Sequence, residues 1–230
     1  MTNRGERRLS HSSFPKGSAI GPLIVAGILI EKDKISRLRQ IRVKDSKLLS
    51  PVEREKLDVK IRKTVKNYDY SVLTPKSIDK AVETGKKLNL LEANAMAKLI
   101  CQLAPDTAYV DALGPIPERF ALRIRQMVNT QTKIVAEHKA DVKYPVVSAA
   151  SILAKVKRDE MVSKLRSKYG DFGSGYPSDG RTKKFLERWL REFGKAPPFA
   201  RKSWMTVKNI QNHKLSEFES FFPVNKNVRE

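Results

Sequence analysis

The chain has 230 residues, 40% of them hydrophobic and 31% charged, enough for a sizeable core in one domain with an appendage or in two small domains. Its 46 Lys and Arg against 25 Asp and Glu leave a formal charge of +21, which points either to polyanionic partners bound in a salt-dependent way or to a cationic protein from a hot or salty habitat. One cysteine excludes an internal disulfide framework and a Cys-based zinc site and fits a reducing cytoplasm, and the longest apolar run, 20–30, is broken by Gly and Pro and too short to span a bilayer, so no membrane partner is expected.

Residues 1–18 are polar, basic and rich in Ser and Gly, without periodicity and without the apolar segment of a signal peptide. The 21–30 run reads as a buried strand. Asp45-Ser-Lys-Leu-Leu follows as a loop. Ser50 then caps a helix with Pro51 first and Glu53 third, the order of a capping box, and that helix runs to about 66. A strand is expected at 68–73 and helices at 77–83 and 89–103. Leu90, Leu91, Ala95, Leu99 and Ile100 give the second helix an apolar face, and Cys101 in its apolar run reads as a buried thiol. A short strand from 107 ends at Asp111, a helix covers 116–128, and a strand covers 132–137. A long helix spans 145–168. Turn-rich 173–180 reads as a linker to two basic amphipathic helices, 181–193 and 204–218, and 221–230 reads as a tail. Alternating strands and helices argue for an α/β fold with a partly parallel sheet.

The stretch 136–159 carries the most information. It presents Asp141 after a β run, then passes through Tyr144-Pro145 into a helix of small and basic residues with Lys155, Lys157 and Arg158. Asp111 leaves the preceding strand at the edge where α/β ligands sit. Two acids leaving adjacent strand ends can share a hard divalent cation, which prefers carboxylates, waters and substrate phosphate. Two such ions activate water and stabilise a leaving oxygen in phosphodiester hydrolysis. Either acid taken alone is an ordinary loop or cap residue. His138 reads as a proton carrier or as a packed histidine, and Lys139 and Lys143 as phosphate contacts or solvated lysines. Ser148 and Ser151 read as close-packing residues of the long helix.

These segments resemble the ribonuclease HII family in its archaeal form. The resemblance covers roughly 17–208. Gly17-Ser-Ala-Ile-Gly-Pro-Leu-Ile-Val-Ala-Gly27 is similar to the family's first-hairpin motif and Asp45-Ser-Lys47 to its loop beside the site. Val110-Asp111 matches its third catalytic carboxylate, Lys139-Ala-Asp141 its fourth, and the run from Ser148 to Asp159 its long helix. Gly175-Tyr-Pro-Ser-Asp179 matches the segment whose tyrosine, here Tyr176, stacks at the RNA-to-DNA junction. The resemblance implies a ribonuclease H-like mixed sheet flanked by helices, with a small C-terminal helical extension. It divides the chain into a divergent segment 1–16, a ribonuclease H-type domain 17–179 and a basic helical extension with tail, 180–230. It also implies Mg2+- or Mn2+-dependent hydrolysis of RNA in RNA–DNA hybrids or at ribonucleotides embedded in duplex DNA. Asp111 and Asp141 would then be catalytic and hold the metal, with Lys16, Gly17, Lys47, Lys143, Lys155, Arg158 and Tyr176 toward substrate or in structural support.

The departure lies at the front. The family opens with an apolar strand into Asp-Glu-Ala-Gly-Arg-Gly. Counting back from Gly21-Pro22, the two acid positions hold Ser12 and Ser13 and the arginine position holds Lys16, while Gly17 alone is kept. A neutral hydroxyl does not replace a carboxylate's charge at magnesium. So sharp a boundary suggests a shifted frame, a wrong start or an inactivating change, and segment 5–13 is expected to make a poorly fitting strand. The resulting expectation is an endoribonuclease with impaired activity. The alternatives are a catalytically impaired hybrid-binding protein and a general basic nucleic-acid-binding module. In the tail, Phe218, Phe221 and Phe222 resemble a sliding-clamp-binding peptide; the other reading packs them back onto the domain.

Overall fold

The computed structural model describes residues 7–14 (backbone alone), 17–41, 43 and 49–212. The elements are β1 (Arg7–Phe14), β2 (Leu23–Glu31), a 3-10 turn (Lys32–Lys34), α1 (Ile35–Gln40), α2 (Pro51–Thr64), β3 (Asn67–Leu73), α3 (Pro75–Glu83), α4 (Leu88–Leu103), β4 (Thr107–Asp111), α5 (Pro117–Met127), β5 (Lys133–Glu137), α6 (Ala140–Lys143), α7 (Pro145–Tyr169) and α8 (Gly180–Phe193). A further helical segment, 205–212, runs to the edge of the described residues.

The strands form one mixed sheet in the order β3-β2-β1-β4-β5. β1 is antiparallel to β2 and parallel to β4, β2 is antiparallel to β3, and β4 is parallel to β5. β2 shows why the sheet has helices on both faces. Its side chains alternate, so Leu23, Val25 and Leu29 enter one core with α4 and α5, while Ile24, Ala26, Ile28 and Ile30 enter another with α7. A strand buried on both faces reads as a continuous apolar run, which is why 21–30 is recognisable. β4 splits the same way: Ala108 and Val110 face the first core and Tyr109 the second. Ala149, Ala150 and Ala154 of α7 are fully buried in that second core; their small side chains let the helix cross β1, β2 and β4 closely.

β1 is the strand expected to fit poorly. Polar as 7–14 is, its backbone occupies the middle of the sheet, with Ser12 opposite Ala26 and Ser13 opposite Val25. The physical reason lies in the neighbours. β2 and β4 each present a row of amides and carbonyls to the slot between them, and hydrogen-bonding by an extended backbone does not depend on its side chains.

Segment 173–180 also differs from a plain linker. A third core joins Ala19, Ile20, Val162 and Phe172 to Phe185, Leu186 and Leu190 of α8 and to Phe199 and Val207. The C-terminal helical region is therefore packed onto the sheet domain through aromatic contacts such as Phe172–Phe185, ring centres 5.5 Å apart. Among the described residues, no helix is long and apolar enough to cross a membrane.

Candidate active site

β4 and β5 end side by side, with Asp111 paired to Glu137. The Ala112 amide donates to the Glu137 carbonyl at 2.9 Å, so the two ends stay in register as the chains diverge. After β5 the chain reverses through Lys139, which adopts a left-handed conformation (φ 53°) and starts α6. This turn aims the Ala140 amide at Asp111, whose Oδ1 accepts it at 3.2 Å. Asp141 is the next residue. The two acids expected to meet are thus brought to one end of the sheet, although Asp141 lies in a short helix rather than a loop.

Glu137, which the sequence did not single out, lies beside them. Its carboxylate accepts from the Lys143 ammonium and the Tyr144 hydroxyl. Those two donors, Lys143 first, hold its carboxyl below the ordinary range. Tyr144 is pushed up to about 12, chiefly by the same bond to Glu137, and its ring lies 4.6 Å from that of Tyr109. Lys143 is exposed and carries this ion pair at the mouth of the site. His138 is exposed, and its Nε2 donates to the Pro115 carbonyl at 3.3 Å.

The β1–β4 register identifies the position beside Asp111. Arg8 pairs with Thr107 and His11 with Val110, so one step further sets Ser12 alongside Asp111. The backbone therefore brings Ser12 where counting from Gly21-Pro22 expects an acid. Among the described residues, no group of three or more His, Cys, Asp or Glu is arranged to hold a metal ion. Two carboxylates, waters and substrate phosphate suit one hard divalent cation. They do not make the four-carboxylate centre that the family resemblance implies.

A second cluster surrounds Tyr176. This tyrosine is half-buried, and burial, above all, raises its phenol pKa. The Arg158 guanidinium lies 5.3 Å from the centre of its ring. Lys155 and Arg158, expected toward substrate or in structural support, are only 3% and 5% exposed. Arg158 Nη2 donates to the Ser174 carbonyl at 2.9 Å and the Ser18 hydroxyl at 3.4 Å, and Nη1 pairs with Asp159 at 3.3 Å, while its buried Nε has no hydrogen-bond partner among the described residues. Asp159 in turn pairs with Arg54 of α2 at 3.0 Å. Gly17 is exposed at the start of the loop that Ser18 anchors.

Arg201 was missed as well. It is fully buried, donates from Nε to the Gly21 carbonyl at 3.1 Å, and stacks over Trp204 at 4.9 Å. Burial, with Arg158 nearby, pushes its pKa down to about 10. The one hint in the sequence is a charge set inside the apolar run from Ala196 to Trp204. Lys16 and Lys47, like Phe218, Phe221 and Phe222, lie outside the described residues.

A mixed five-stranded sheet crossed by one long helix, with one acid at the end of β4 and another in the short helix after β5, is the architecture of the ribonuclease H-like class. The family model for Ribonuclease HII matches residues 15–207. Ribonuclease HII of Pyrococcus abyssi is 46% identical over 200 residues, covering 85% of this chain and 87% of that protein. Among solved structures, the ribonuclease H2 from Pyrococcus horikoshii OT3 superposes with a TM-score of 0.85 at 42% identity, covering 90% of this chain and 98% of that one. A chain of the PCNA:RNase HII complex from Archaeoglobus fulgidus gives 0.77 at 40% identity, covering 87% and 95%. Bst-RNase HIII in complex with Mn2+ gives 0.77 at 18% identity, covering 91% and 70%, and shares the fold. The chain belongs to the ribonuclease HII family, divalent-metal-dependent hydrolases that cleave RNA in RNA–DNA hybrids.

Proposed function

We propose that this chain engages RNA–DNA hybrids and duplex DNA with embedded ribonucleotides at the β4–β5 end of its sheet, with a depleted metal centre that leaves little or no cleavage. The observation that carries the reading is the bond from Ala140 to Asp111, which joins the strand end bearing one acid to the turn bearing the other. Asp111 and Asp141 would hold Mg2+ or Mn2+. The ion would activate a water and stabilise the leaving oxygen. The family's other two acids would lie at Ser12 and Ser13, and the register of β1 beside β4 supports that alignment for Ser12. A site short of two negative charges binds its ions weakly, because substrate phosphate supplies only part of the charge they need.

Lys143, Lys16 and Lys47 would meet phosphates, the backbone at Gly17 would approach the ribose, and Tyr176 would stack at the RNA-to-DNA junction. Lys155 and Arg158 would support the site rather than contact substrate, a reading that their burial supports. We place the protein in the cytoplasm, and we assign Phe218, Phe221 and Phe222 to a sliding clamp. Support for the clamp is the Archaeoglobus fulgidus relative solved with PCNA, together with the paired aromatics of the tail.

The test compares binding and cleavage of a duplex carrying one embedded ribonucleotide with those of an all-DNA duplex, in Mg2+ and in Mn2+. Selective binding with little cleavage is the expected result. Equal binding of both duplexes would leave only a general basic nucleic-acid-binding module.

A further inference from the structure

The 17–22 loop and the turn bearing Tyr176 belong to distant parts of the sequence, yet the backbone fastens them together. The amides of Ala19 and Ile20 both donate to the Gly175 carbonyl, at 2.8 and 3.1 Å. The Ser18 hydroxyl lies 3.1 Å from the same carbonyl and 2.5 Å from that of Ile20. Gly175 has φ +80°, and a Cβ there would sit 3.2 Å from the Ile20 carbonyl and 3.3 Å from Arg158 Nη2, so only glycine lets the two segments of this junction approach. Arg158 fills the space behind. One of its nitrogens reaches both sides of the junction, Ser18 on the loop and Ser174 on the turn, and its guanidinium carbon lies 5.3 Å from the centre of the Tyr176 ring. Buried Arg201 closes the other flank, taking the Ala19 carbonyl with its amide at 2.8 Å and the Gly21 carbonyl with its guanidinium.

We infer that Arg158 is a positioning residue that couples the 17–22 loop to Tyr176, so that recognition of the ribose and stacking at the junction are set by one rigid unit. The inference rests on the hybrid-binding reading above. A guanidinium suits this task because it is planar and rigid, so the nitrogen bonded to Ser18 and Ser174 and the carbon beside the Tyr176 ring keep one fixed geometry, which a flexible lysine stem does not hold. Arg158 acts through Ser18 and Tyr176 and does not itself touch the substrate.

The test is a double-mutant cycle in the full chain, read as selectivity: affinity for the embedded-ribonucleotide duplex divided by affinity for the all-DNA duplex. Arg158→Lys and Tyr176→Ala should each lower selectivity by about tenfold, and the double variant should lose no more than Tyr176→Ala alone, as for two residues acting as one unit. Ser18→Ala, a smaller change on the loop side, should lower selectivity in the same direction while the protein stays folded. A merely structural role for Arg158 predicts a lower melting temperature and equal loss of affinity for both duplexes. Additive losses in the double variant, or unchanged selectivity in folded Arg158→Lys and Ser18→Ala, overturn the inference. If the unmodified protein shows no selectivity, the hybrid-binding reading fails first. The coupling is then read without substrate, by tyrosine NMR titration assigned with Tyr176→Phe. Ser18→Ala should shift the Tyr176 resonance and its ionisation through Arg158, and an unmoved Tyr176 refutes the coupling.

Discussion

Ala140 donates its backbone amide to the Asp111 carboxylate across 3.2 Å, and through that bond the left-handed turn at Lys139 holds Asp141 at the end of β4. The bond is local to the ends of β4 and β5. It should therefore survive in this chain even with an incomplete acid set.

Weak metal binding should follow. A ligand at concentration L that binds only the folded state stabilises it by RT ln(1 + L/Kd), so the melting temperature rises noticeably only once the ligand exceeds the dissociation constant. Mn2+ should raise the melting temperature of the unmodified protein only at high concentration, and Asp111→Asn should abolish the rise. A rise that is strong at low Mn2+ would mean that other groups complete the centre.

The parts of the fold that announce themselves in sequence are those whose physics is local. Ser50, Pro51 and Glu53 spell a capping box, and both of its bonds form: Glu53 N to Ser50 Oγ at 3.3 Å and Ser50 N to Glu53 Oε2 at 2.8 Å. The apolar run of β2 shows burial on two faces, and the long helix α7 begins at Pro145 as expected. Asp111 and Asp141 are legible because each follows a β run. The short elements α1 and α6 are not, since six and four residues carry too little periodicity. α3 begins at Pro75, two residues ahead of expectation, because Thr74 rather than Pro75-Lys76 marks its start. β1 was legible only through the family resemblance, because its polar residues carry no strand pattern and its place depends on what β2 and β4 leave unpaired. Arg201 and Ser18 were illegible because their partners lie far along the chain.

Salt dependence should come from the exposed face of α8. Arg181, Lys183, Lys184 and Arg191 are exposed there, whereas Phe185, Leu186 and Leu190 are core. Deleting the region after 180 would strip the cover from Phe172 and Ile20 and confound any binding measurement. Surface changes avoid that. Lys183→Gln combined with Lys184→Gln and Arg191→Gln should weaken binding to every duplex and reduce the slope of log affinity against log salt by about 0.9 for each phosphate that is no longer neutralised. An unchanged slope would remove α8 from the binding surface.

Asp179 should make part of the stability pH-dependent. It accepts from the Ser174 amide at 2.7 Å and the Arg181 amide at 2.9 Å, and these bonds, Ser174 first, hold its pKa at about 2. An unfolded aspartate titrates near pH ~3.9. Because the folded value is the lower one, the contribution is fully present above the unfolded pKa and is lost as pH falls through the folded pKa. Asp179→Ala should lower the melting temperature at pH 7, and the gap from the unmodified protein should narrow below about pH 4 and close near pH 2. A gap independent of pH would assign the loss to packing instead. The same residue ties down the turn that carries Tyr176: its carboxylate accepts the Ser174 amide and its own amide donates to the Tyr176 carbonyl at 3.1 Å.

Catalysis is the sharpest expectation. The register of β1 against β4 sets Ser12 beside Asp111, and Ser13 follows it. If Ser12 and Ser13 occupy the family's acid positions, as proposed, the ions that would activate water and stabilise the leaving oxygen are left with half of the family's acid set. Loss of a group that merely orients a metal ligand already costs ten- to a hundredfold in affinity or activity, so loss of two ligands should cost on the order of a hundredfold or more. Ser12→Asp with Ser13→Glu should recover part of the cleavage of an embedded-ribonucleotide duplex. Recovery should stay incomplete, because Phe14, Pro15 and Lys16 stand where the family has Ala-Gly-Arg. The Asp111→Asn protein, purified in parallel, controls for contaminating nuclease. Robust cleavage by the unmodified chain that disappears in Asp111→Asn would show that some other group completes the site and that Ser12 does not stand in a catalytic acid's place.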